Sequence, residues 1–227
     1  MVTTPSAAER SALPAALRRP AAIVVVVAAL VFTVLAVRYA GDSMSGRLDG
    51  RLQALVSLWT GDSERTWRDA TLIGNPLPVI VLATLLTGIC LALRRWRIAI
   101  LAIVGPGLTG VATTLLKPAI GRTIDGGLAY PSGHTGGATS LGLVTALLVI
   151  SLVRPGPRAG AALLAAGALV AGTGMAIALV AGDIHYPTDT VGGFCTAVAM
   201  VLGSALVIEW AAERRARRRR LGERGGS

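Results

Sequence analysis

The sequence predicts an all-α membrane protein, a bundle of six transmembrane helices with both termini on the cytoplasmic side, and three observations predict it. Of the 227 residues 53% are hydrophobic and only 15% are charged, about ten points below the usual soluble-domain share, and the mean hydropathy is +0.65. Six uncharged stretches recur along the chain, each about the length needed to cross a bilayer. The arginines between them are distributed unevenly, which sets the orientation.

The first stretch, Pro20 to Val37, follows Arg10, Arg18 and Arg19. Its apolar core is longer than that of a signal peptide and no small-x-small cleavage site precedes a soluble domain, so it reads as a retained helix. Arg38 to Asp69 forms the first outer loop, in which Leu48 to Leu58 suits a short interfacial amphipathic helix. The second span is expected over Ala70 to Leu93 and the third over Ile98 to Leu116, with Arg94, Arg95 and Arg97 between them. Lys117 to Gly133 returns outside, and Thr135 to Val153 crosses a fourth time. Arg154 and Arg158 separate it from Ala159 to Gly182, and the outer turn Asp183 to Asp189 leads into the sixth span, Thr190 to Ile208. Three parts result: a cytoplasmic tail over 1–19, a membrane domain over 20–210 and a basic tail over 211–227.

With this threading the inner side carries 15 arginines and 4 acids, against 7 basic residues and 8 acids outside. That asymmetry places both termini inside. The net charge of +10 therefore does not signal nucleic acid; the Arg214–Arg220 run follows a membrane helix directly and reads as a topology determinant in contact with lipid headgroups. Tryptophans and tyrosines stand at or beyond the expected helix ends, where their rings favour the headgroup zone. Cys90 and Cys195 fall within spans and read as small packing residues, with no disulfide or zinc framework. Nothing in the sequence speaks to oligomeric state.

The reactive groups gather at the outer ends. The chain has two histidines, His134 and His185, and a single lysine, Lys117, and all three fall on that side. Lys117 and Arg122 place two cations in one loop, suited to the non-bridging oxygens of a phosphate. Pro131-Ser132-Gly133-His134 then opens the fourth helix, whose unpaired amides and dipole favour an anion. His185 and Asp189 stand four apart. On one helical face the carboxylate can accept the Nδ1 proton, fix the tautomer and leave Nε2 free as a nucleophile. His134 opposite it can protonate a leaving oxygen and then activate water.

These residues resemble the type 2 phosphatidic acid phosphatase superfamily, with its pattern K-x6-R-P, P-S-G-H and S-R-x5-H-x3-D. Lys117 matches the first lysine, Pro131 to His134 form a complete second motif, and His185-Tyr186-Pro187-Thr188-Asp189 match the end of the third. The resemblance implies a six-helix membrane phosphatase that needs no metal or other cofactor and works through a phosphohistidine on His185, supported by Asp189, with His134 as the second catalytic residue. It places Lys117, Ser132 and Gly133 on the phosphate or leaving group, with Arg122 as a further substrate-binding candidate. The implied substrate is a lipid phosphate or diphosphate, such as a polyprenyl diphosphate, phosphatidic acid or phosphatidylglycerol phosphate, cleaved at the extracytoplasmic face of the cell membrane.

Two positions depart from the pattern. Ile124-Asp125 stand where the first motif has Arg-Pro, and Ala178-Leu179 where the third has Ser-Arg. Removing one preorganised donor to a transition-state oxyanion costs about 10²- to 10³-fold in rate, so a compensating cation is expected, supplied by Arg47, Arg51, Arg65 or Arg68 of the first outer loop. Two other classes fit the same residues: a degenerate member that binds lipid or a partner, and a metal-dependent hydrolase built on His134, His185, Asp183 and Asp189.

Overall fold

Proline and glycine set the ends of the helices. α4 (Pro76–Ala92), α7 (Pro157–Ala181) and α8 (Pro187–Arg224) each open on a proline, where the missing N–H would have no intrahelical partner and φ is already helical. A computed structural model describes residues 11–61 and 63–224, with side chains described as far as 218. Arg10 and residues 225–227 of the expected tails, and Asp62 of the first outer loop, lie outside the described residues.

The remaining helices are α1 (Ala15–Arg38), α2 (Arg47–Thr60), α3 (Glu64–Thr71), α5 (Trp96–Ile120) and α6 (Gly133–Val153). A two-stranded hairpin, β1 (Thr123–Ile124) and β2 (Gly127–Leu128), turns on Asp125-Gly126, both with positive φ. Five helices are long and apolar enough to cross a membrane: α1, α5, α6, α7 and α8. The second expected span takes a different form. A 3-10 turn, Leu72–Gly74, follows α3, and α4 then starts at Pro76 with a 49° bend between the two segments. The Gly74-Asn75-Pro76 sequence breaks the helix: the residue before a proline is pushed out of the α region, and Asn75 is extended. α4 alone is 17 residues long, so a sixth span exists only if the bent pair counts as one.

The other expected spans lie within longer helices, except that Gly182, the expected end of the fifth, is the residue that follows α7. α8 runs through the basic stretch to Arg224, so helix and tail are continuous. The amphipathic segment expected around Leu48 to Leu58 is α2, which exposes Leu48, Leu55, Leu58 and Trp59 while burying Asp49. The core is apolar and draws on α1, α5, α6 and α8, around Leu101, Val144, Leu147, Val201 and Ala205. Arg97 and Lys117, at opposite ends of α5, are 20 residues or about 30 Å apart, the thickness of a bilayer's hydrocarbon core.

Candidate active site

The site is assembled where the start of α6 meets the start of α8. A Cβ on Gly193 would collide with the backbone carbonyl of Ser132, and one on Gly192 with the ring of Tyr130; two glycines thus let α8 lie directly against the segment that leads into α6. A backbone bond from Ser132 N to the Asp189 carbonyl, 3.0 Å, joins the two motifs. Tyr130 is buried, and its hydroxyl donates to the Phe32 carbonyl at 2.8 Å. Burial first, then the neighbouring Cys195 and Asp189, pushes its ionisation above the usual phenol range, against the pull of Arg122, so it stays a donor.

Ser132 caps α6. Its Oγ faces Thr135 N at 3.4 Å and accepts from the Thr135 hydroxyl at 3.2 Å. The next amides, from Gly133 onward, carry the positive end of the helix dipole. The His134 ring stands 6.4 Å from that of His185, centroid to centroid, at 62°. Its Nε2 is 2.8 Å from Asn75 Oδ1, an acceptor that makes Nε2 the protonated nitrogen. Gly74 leaves room for that ring: a Cβ there would stand 3.0 Å from His134 Cβ. The break before α4 thus supplies a partner that sequence reasoning missed.

His185 is 6% exposed, and its backbone N–H points to the Leu179 carbonyl at 3.4 Å. Nδ1 faces Asp189 Oδ2 at 3.5 Å, an ion-pair distance, and is buried without a hydrogen-bond partner among the described residues. Oδ2 also accepts the Tyr186 N–H at 3.1 Å. Lys117, half-buried, donates from Nζ to the Leu128 carbonyl at 2.9 Å, and it lies within electrostatic range of Asp189 and His134. The hairpin therefore anchors the lysine at the same end of the bundle as the histidines.

The expectation that Arg122 binds substrate meets a different arrangement. Its side chain is 0% exposed and sits between Asp49 and Asp189. Nη1 donates to Asp189 Oδ1 at 2.7 Å and to Thr188 Oγ1 at 2.6 Å, and Nη2 donates to Asp49 Oδ2 at 2.6 Å. The guanidinium also stacks between the rings of Tyr39 and Tyr186, at 4.2 and 4.7 Å. Asp49 is a second residue that the sequence reading did not single out.

At the departures from the motif pattern, Leu179 is buried in the core and Ile124 sits in β1. Of the first-loop arginines, Arg68 packs against Gly182, three residues before His185, with Nε paired to Glu64 at 3.0 Å; Arg47, Arg51 and Arg65 are exposed. Asp125 is at the exposed hairpin tip and Asp183 accepts from Gln53 at 2.7 Å. Among the described residues no three His, Cys, Asp or Glu side chains are placed to hold a metal ion.

Several membrane-length helices, with paired imidazoles, a carboxylate behind one of them and a lysine at the same end, define a multi-pass membrane phosphatase type. The chain belongs to the PAP2 superfamily, whose model matches residues 79–213. The resemblance read from the motifs is thereby borne out. In fold the chain is similar to a crystal structure described as the first transmembrane PAP2 type phosphatidylglycerolphosphate phosphatase from Bacillus subtilis. The TM-score is 0.63 at 18% identity, over 84% of this chain and 96% of that one. No curated protein matches the sequence.

Proposed function

We propose that the protein is an integral membrane phosphatase of lipid phosphates or diphosphates, acting at the extracytoplasmic face of the cell membrane through a phosphohistidine on His185. The observation that carries this reading is the pair of imidazoles 6.4 Å apart with Asp189 behind one of them. That gap suits one tetrahedral phosphate, since reacting atoms about 3 Å apart are in attack range. The orientation follows the arginine asymmetry, with six crossings when the bent α3–α4 pair counts as one, and with the membrane domain over 20–210 between two cytoplasmic tails.

In the first step His185 Nε2 attacks phosphorus and the bond to the leaving oxygen breaks, while His134, entering as the imidazolium with its Nε2–H held by Asn75, delivers its Nδ1 proton to that oxygen. The Nδ1 proton stays directed at Asp189, whose charge stabilises the cationic phosphoimidazole. In the second step His134, now deprotonated, takes a proton from water as its oxygen attacks phosphorus; the N–P bond breaks and inorganic phosphate leaves. Lys117 and the first amides of α6, beyond the Ser132 cap and Gly133, hold the non-bridging oxygens. The lipid tail lies along the apolar helices. The substrate class is a polyprenyl diphosphate, phosphatidic acid or a related lipid phosphate.

A degenerate member that keeps the fold for lipid or partner binding is the competing reading, favoured by Leu179 and Ile124 where the pattern has arginines. Release of inorganic phosphate from a panel of these lipids separates the two. Wild type should turn over at least one of them, His185→Ala should lose about 10³-fold or more, and His134→Ala about 10²- to 10⁴-fold. Denatured wild type quenched during turnover should carry acid-labile phosphate on histidine. Turnover of His185→Ala at the wild-type rate would refute the mechanism.

A further inference from the structure

Asp49 takes no part in the chemistry above, yet its carboxylate is 0% exposed in an outer helix that otherwise faces solvent and lipid. We propose that Asp49 is a positioning residue for phosphoryl transfer: by holding one side of the Arg122 guanidinium and an amide in the first turn of α8, it keeps Asp189 Oδ2 turned toward His185. The inference rests on the phosphatase reading and adds to it a residue from α2.

The argument turns on how an arginine divides its donors. Left alone, a guanidinium and a carboxylate pair fork to fork, two N–H groups on two oxygens. Here Arg122 is prevented from doing so. Nη2 is held by Asp49 Oδ2, and Asp49 Oδ1 accepts Thr188 N at 2.9 Å while Oδ2 also accepts the Thr188 hydroxyl at 3.0 Å. Only Nη1 reaches Asp189, and it takes Oδ1. Oδ2 is left for the Tyr186 N–H and for His185 Nδ1. Stacking between Tyr39 and Tyr186 fixes the plane of the guanidinium, so the division is set by α1, α2 and α8 together.

Neutralising Asp49 leaves a buried guanidinium with Asp189 as its one remaining charged partner, an arrangement strongly driven toward fork-to-fork pairing. Oδ2 then turns from His185, and the positive charge that develops on the ring in attack loses the counter-charge that now stands 3.5 Å from Nδ1. The bonds that Asp49 makes go to Arg122 and Thr188 and not to the phosphate-binding groups proposed above, so ground-state binding of the phosphate is little affected. The loss belongs in kcat.

Asp49→Asn keeps the size of the side chain and removes its charge. It is measured in full-length protein in mixed micelles, with phosphatidic acid and with a polyprenyl diphosphate, in the wild-type and Arg122→Gln backgrounds. The expected result is a kcat lower by about 10- to 100-fold, the range for residues that orient a reactive ligand from behind, with KM within about 3-fold of wild type. In the Arg122→Gln background Asp49→Asn should add nothing further, because residues acting in series are non-additive. Thr188→Val, which cuts one arm of the same link, should lower kcat in the same direction by less, and it decides the matter if Asp49→Asn does not fold. Unchanged kcat in folded protein, a loss confined to KM, or full additivity with Arg122→Gln overturns the inference alone. A wild type that releases no phosphate from either lipid removes the phosphatase reading and this inference with it.

Discussion

At the scale of single residues, the site is a set of nitrogen and oxygen atoms whose second contacts decide what each can do. His134 illustrates this. Asn75 Oδ1 at 2.8 Å holds Nε2, so the ring is oriented in advance, and the residue proposed as the acid depends on a partner 59 positions away. Asn75→Ala should lower kcat by about 10-fold or more on an alkyl phosphate. With p-nitrophenyl phosphate, whose phenolate leaves with little help from a proton, the loss should shrink toward none, because only the protonation step is impaired. Equal losses on both substrates would show that Asn75 supports the fold and not the acid. Asn75 and Asp49 explain why the sequence disclosed only half of the site. Lys117, His134, His185 and Asp189 are rare or patterned residues at helix ends, and such features can be read locally. Asn75, the chain's single asparagine, falls inside a stretch whose apolar content reads as one span, and Asp49 is one of seven aspartates on an amphipathic helix; the importance of both comes from what folds against them. Arg122 shows the same limit from the other side: its charge was legible, its two carboxylate partners were not.

At the scale of elements, small residues decide how closely helices approach. A Cβ on Gly142 of α6 would overlap the backbone carbonyl of Gly167 on α7, and a Cβ on Gly167 would press at 2.6 Å on the carbonyl of Gly142. The two backbones therefore meet with no side chain between them, as in close membrane helix pairs. Gly142→Ala should lower the thermal unfolding midpoint in detergent, at a cost of about 1–3 kcal/mol or more for overpacking. Gly174→Ala, also on α7 but with nothing within 4 Å of the added methyl, should leave the midpoint unchanged or raise it, since alanine is the better helix former by about 1 kcal/mol. If both variants behaved alike, close approach would not be what Gly142 is for. Hydropathy and charge made α1, α5, α6 and α7 legible to within about five residues, and the start of α8 but not its continuation to Arg224, because each span must satisfy its own backbone in lipid. The same reasoning joined Ala70 to Leu93 into one span. It averages over the Gly74-Asn75-Pro76 break, whose effect is local backbone geometry with little change in apolar content.

At the scale of the whole molecule, the two ends of the bundle hold separate polar networks. One surrounds Arg122. The other surrounds Glu209 of α8, which is 2% exposed and accepts from Ala12 N at 2.7 Å, Arg18 Nη2 at 2.9 Å and Arg97 Nη1 at 3.0 Å. It ties the segment before α1, α1 itself and the start of α5 to one carboxylate, and Arg18 also pairs with Glu213. Glu209 lies 22 residues from the start of α8, about 33 Å along the helix from the site. Glu209→Gln leaves two guanidinium groups short of a counter-charge where water reaches them poorly. Breaking a fully buried pair costs about 3–5 kcal/mol. Arg18 and Arg97 keep 24% and 15% of their side-chain surface, so roughly half of that is expected, read as a lower unfolding midpoint. Well below that midpoint kcat and KM should match wild type, because the residues proposed for catalysis lie at the other end of α5, α6 and α8. A fall in kcat without a fall in stability would mean instead that the two networks communicate along α8, and the separation of a stabilising end from a reactive one would not hold.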